Sequence, residues 1–179
     1  MDASLAELIR LYAPTAPGRV PDWAAAERDL GTALPADYRD LVGAFGAGLF
    51  DGHVWLLEPD SPDASHDLVA DNDGRMEDFE DFWEMGEDKP EQLEEEGSRL
   101  VAWGSTYSGE VLYWLVRPGV SPDAWTVMVN ESRGPRWEHH DLTCTAFLAG
   151  VLTGRVRSGI LASRLPAPEH SFRPVGAGA

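Results

Sequence analysis

The chain has 179 residues, 43% of them hydrophobic, seven tryptophans and a formal net charge of −17. That length suits one domain burying about 70% of its unfolded surface, and no apolar run approaches the ~20 residues that a membrane span requires. A single cysteine, Cys144, excludes an internal disulfide framework, and the acidic balance excludes nucleic acid and anionic membranes as partners, because phosphates need a basic face.

The opening Met1-Asp2-Ala3-Ser4-Leu5-Ala6-Glu7 is acidic and lacks the basic start of a signal peptide, so a reducing cytoplasm is expected. Ser4 to Tyr12 reads as a helix with Leu5, Leu8, Ile9 and Tyr12 inward, followed by a linker built on Pro14, Pro17, Gly18 and Pro21. Asp22 caps a helix that ends at Gly31. Pro35 suits the first turn of the next helix. There Tyr38, Leu41, Val42 and Phe45 recur at i, i+3, i+4 and i+7, leaving Asp37, Arg39 and Asp40 in water. Gly46 and Gly48 stop that helix. Leu49-Phe50 and His53 to Leu57 read as strands around the Asp51-Gly52 turn, and Glu58 to Ser65 as a loop rich in Pro and Asp.

Ser65 to Met85 is the longest acidic helical candidate. Its inward stripe is Met76, Phe79, Phe82 and Trp83, with Glu77, Asp78, Glu80, Asp81 and Glu84 facing out. Lys89 to Gly97 reads as a mobile acidic loop or a fraying turn. Strands are expected over Arg99–Trp103, Glu110–Arg117 and Trp125–Glu131, and a further one over Arg136–His140 after the Gly134-Pro135 turn. Trp55, Trp103, Trp114 and Trp125 fall in strands, where large aromatics fill cores. Thr143 caps a last helix whose apolar face is Cys144, Phe147, Leu148, Val151 and Leu152, closed by Gly154. The order of elements predicts an α+β single domain with a mostly antiparallel, twisted sheet of about five or six strands flanked by helices. An N-terminal helix and linker (1–21) would precede it, the domain proper would span 22–165, and 166–179 would be a loose tail.

Charge is concentrated. Between Glu58 and Glu96 seventeen acidic residues face only Arg75 and Lys89, a local net of −15, whereas Leu142 to Ala179 carries a net of +3. A field of one sign favours a basic protein partner and can raise association rates by ~10 to 10³-fold. It also serves solubility.

Chemistry-bearing patterns are weak. Asp71-Asn72-Asp73-Gly74 resembles a calcium loop, but aligning Gly74 with the loop glycine places Val69 at the first ligand position, where a carboxylate is needed. His139 and His140 are adjacent and point to opposite faces of a strand, so they cannot share a metal. His53, His66 and His170 have no ligand spacing. Cys144 reads as an inert core thiol. Neither a nucleophile elbow nor a phosphate-binding glycine loop occurs. No catalytic residue, cofactor or metal is therefore expected.

Two stretches carry more. Leu34-Pro35-Ala36-Asp37-Tyr38 leads to Gly46-Ala47-Gly48, and Trp103-Gly104 leads through Ser108-Gly109-Glu110 into the Tyr113-Trp114 strand. In this pattern the chain resembles the SUKH superfamily from about Asp22 to Leu165. Ser108-Gly109-Glu110 stands where that family usually shows Asn, Gly and Asp. The resemblance implies an α+β fold without catalytic activity. It implies either a bacterial immunity protein that binds and neutralises a cognate toxin, often a nuclease, or a scaffold of the fungal cell-wall assembly regulator type. On this reading the partner is a basic toxin domain, the interface is the acidic helix at Glu77, Asp78, Glu80, Asp81 and Glu84, and the protein is a monomer or weak dimer.

Overall fold

The computed structural model describes residues 2–132 and 134–176. Its elements run α1 (Ala3–Tyr12), α2 (Trp23–Leu30), α3 (Ala36–Phe45), β1 (Gly48–Phe50), β2 (Val54–Leu56), α4 (Leu68–Asn72), α5 (Arg75–Glu84), β3 (Arg99–Thr106), β4 (Val111–Val116), β5 (Thr126–Asn130), β6 (Trp137–His140), α6 (Cys144–Thr153) and β7 (Phe172–Pro174). The strands form one sheet in the order β6-β5-β4-β3-β2-β1-β7. Every neighbouring pair is antiparallel. The fold is α+β, as expected, with one more strand than the sequence suggested. Among the described residues, no helix is long and apolar enough to cross a membrane.

β4 lies in the interior of the sheet, between β5 and the central β3, and its buried residues alternate between two layers. Trp114 meets Tyr38 of α3 edge-on, with ring centroids 4.8 Å apart, while Tyr113 meets Phe79 of α5 at 5.9 Å. Trp103 on β3 lies edge-on to Phe147 of α6. One face of the sheet therefore carries α3 and α6, and the other carries α5. Leu5 and Leu8 of α1 belong to the same core, because α1 packs on α3 and α6.

The Trp-Gly pair marks a bulge. Pairing between β3 and β4 slips between Ala102 and Gly104, and a Cβ on Gly104 would lie 3.0 Å from the Trp55 carbonyl. Glycine eases the close approach of β2 to β3 there, where a side chain would need its neighbour to shift by a few tenths of an ångström.

Several expectations are corrected. Ser65–Met85 is not one helix. It divides into a 3₁₀ turn (Ala64–His66), α4 and α5, with Gly74 at φ 71° between the last two. Asn72, the last residue of α4, reaches the sheet beside the break. Its side chain donates to Ala102 O at 2.9 Å and accepts from Ala102 N at 2.7 Å.

Asp37 and Arg39 are not free in water. Asp37 bonds to α6, and Arg39 pairs with Glu27 and lies over the Trp23 ring, because α2 and α6 cover that flank of α3. Trp55 is half-buried, resting on His66 at 4.0 Å, since only a loop covers that face of the short β2. The Lys89–Gly97 segment is anchored by Leu93, which is buried in the core.

The tail is not loose where it is described. Phe172 packs on Phe45 and Phe50 at 5.0 and 4.7 Å, above Gly48, and the pairing of β7 with β1 follows. The readings made on Met1 and on residues 177–179 lie outside the described residues.

Candidate functional site

The acidic surface is built from α5. Gly74, the left-handed residue before it, lets the chain turn sharply from α4, and Arg75 at the first position points back. The Arg75 guanidinium bonds Asp71 at 2.6 Å, donates to the Tyr113 hydroxyl at 3.3 Å and lies 5.7 Å over that ring. Burial pushes the Tyr113 phenol up to about 12, against the opposing pull of Arg75.

The inner face then seats Met76, whose sulfur accepts the Leu100 amide, and Phe79, which stacks on Trp83 and tilts against Trp137. Lys89 folds back so that its ammonium sits 4.9 Å over the Trp83 ring. Both cations of the acidic segment are thus engaged locally, away from the outer face of α5.

That outer face holds the five carboxylates singled out in the sequence. Glu77, Asp78, Glu80, Asp81 and Glu84 are all exposed, and none has an ion-pair partner among the described residues. They stand at i,i+3 and i,i+4 spacings, where like charges repel. Phe82, expected to point inward, is instead 42% exposed, and Met85 after it is 74% exposed. The apolar stripe therefore narrows to Met76, Phe79 and Trp83, which pack against the core. The result is an apolar spot inside an acidic rim, a pairing characteristic of protein interfaces.

Sequence reasoning missed the cleft beside it. A cavity of about 630 Å³ opens between α2, α4, the start of α5 and β3, and Asp29, Asp60, Asp67, Asp73, Glu77 and Arg99 contribute to its walls. Arg99, half-buried, donates to Leu30 O at 3.1 Å. Asp67 caps α4 through Ala70 N and accepts Ser61 N. No local signal joins Asp29 to Asp73. The α2–α4 contact brings them together.

The remaining sequence candidates are placed as follows. Asp71 pairs with Arg75 and Asn72 clamps β3, so the calcium-like stretch serves the helix break. His139 meets Thr126 on one face of β6, while His140 meets Glu138 and the Phe147 ring on the other. Cys144 is buried, and burial pushes its thiol well above the ordinary range. No family model matches this chain, and no curated protein or solved structure matches it either.

Proposed function

We propose that this chain is a non-enzymatic protein-binding module of SUKH type that neutralises a cognate basic toxin domain by direct contact through α5. The observation that carries the proposal is the outer face of α5. Five exposed carboxylates stand unpaired among the described residues beside exposed Phe82 and Met85, while Arg75 and Lys89 are engaged elsewhere. A face kept at a cost to helix stability is explained by a partner that supplies the missing cations. A nuclease toxin fits this chemistry, since it must present cations to phosphate and an acidic surface competes for them. The SUKH-like motifs and the α+β architecture support the same reading.

The test is tagged capture from the native host at low and high salt, repeated with Glu77, Glu80, Asp81 and Glu84 changed to Lys, followed by co-expression of the captured partner. One basic, salt-sensitive partner that is toxic alone, rescued by the native chain and not by the reversed one, is the expected result. Rescue that survives the reversal would move the interface away from α5. A diffuse set of harmless partners would favour the scaffold.

A further inference from the structure

A second cavity, of about 260 Å³, lies where the N-terminal linker crosses the end of α3. The crossing is tight: a Cβ on Gly18 would collide with Val42 O and Gly46. Tyr12, Phe45, Phe172, Pro17 and Pro174 wall the cavity, and Glu58 lines it.

Glu58 is 4% exposed, and its Oε2 receives no hydrogen bond among the described residues. Arg19 approaches only to 3.9 Å of Oε1; its guanidinium donates instead to the carbonyls of Pro59, at 3.1 Å, and Asp60. Burial raises the Glu58 carboxyl above its ordinary range, against the pull of the Ala47 amide and Arg19. A buried carboxylate left this poorly complemented is costly unless something completes it.

We propose that this cavity receives one arginine side chain from a partner protein, with Glu58 accepting its guanidinium. Charge and burial call for a cation. The volume is below the ~300–1,000 Å³ of cofactor clefts, so it suits a single side chain. Aromatic and proline walls favour the planar, weakly hydrated guanidinium over a strongly hydrated ammonium. Arg19, which lines the cavity, already places its guanidinium on carbonyl oxygens of the adjoining Pro59-Asp60 segment. The Glu58–Pro62 loop borders both this cavity and the acidic cleft. The site does not depend on α5, and it can be tested without any partner.

Capped arginine and capped lysine are titrated into the isotope-labelled full chain, and the amide resonances of Gly18, Gly46 and Ala47 are followed by NMR. The expected result is a saturable shift with arginine, weaker binding of lysine, and at least about tenfold weaker arginine binding in Glu58→Gln, the loss that removing a charge-assisted hydrogen bond implies. Arg19→Ala, at the exposed rim, keeps Glu58 in place and binds arginine at least as tightly as the native chain. It stands in should Glu58→Gln not fold. Absence of a saturable shift in both the native chain and Arg19→Ala overturns the proposal and leaves Glu58 a purely structural residue. Equal binding of lysine, or undiminished binding in a folded Glu58→Gln, overturns it as well.

Discussion

Asp37 Oδ2 accepts the backbone N–H of Thr145 at 3.1 Å, and the Thr145 hydroxyl donates back to the Asp37 carbonyl at 3.2 Å. One residue of α3 thereby satisfies the first turn of α6, a hundred residues later in the chain, beside the Thr143 cap on Ala146 N. A carboxylate at a helix N-terminus also meets the favourable end of the helix dipole. Asp37→Ala should therefore cost about 1–2 kcal/mol. Asp37→Asn keeps an acceptor and should cost less. Urea denaturation of both variants decides the matter, and an unchanged midpoint for the alanine variant would remove the cap from the stability of α6.

The unpaired face of α5 predicts a gain. Glu84→Lys places a cation in the last turn, four residues after Glu80 and three after Asp81. It should stabilise the protein by about 0.5–1 kcal/mol through the dipole and the new pairs. A thermal melt at low salt reads this, and the gain should shrink as salt is added. No gain would mean that the native carboxylates are already compensated.

Glu138 predicts an acid limb. Burial pushes its carboxyl up, but Ser158, His140 and the Ile160 amide outweigh that and hold it below the ordinary 4.5. A lowered folded-state value means the contribution is complete above 4.5 and is lost as pH falls through the lower folded value. Glu138→Gln should flatten the decline of stability below pH 4.5 relative to the native chain. An unchanged acid limb would assign the decline to other carboxylates.

The C-terminal strand predicts a specific dependence on Phe172. Its half-buried ring fills the space over Gly48 between Phe45 and Phe50. Phe172→Ala should cost about 2 kcal/mol, below the 3–5 of a fully buried phenylalanine. Hydrogen exchange at the β1 amides should rise in parallel, because β7 is held mainly by that ring. Protection unchanged from the native chain would show that the strand stands without it.

Much of the architecture was legible because periodicity reports local geometry. Tyr38, Leu41, Val42 and Phe45 mark one helix face, and all four are buried. The run from Val111 to Val116, apolar at both parities, marks an interior strand with layers on both faces. The five carboxylates of α5 point outward for the same reason. Phe82 misled, because a stripe says which residues share a face and not which of them the core reaches.

The sequence by itself determined the α+β class, the positions of most elements and the segment that holds the negative charge, since each depends on spacing and composition within a few residues. Only the tertiary structure decided that Asp37 caps α6, that Phe172 adds a strand beside β1, that Asn72 ties the end of α4 to Ala102, and that Glu58 lies buried without a full complement. Those outcomes join residues separated by dozens of positions. Their free energy comes from packing and desolvation that no local pattern encodes.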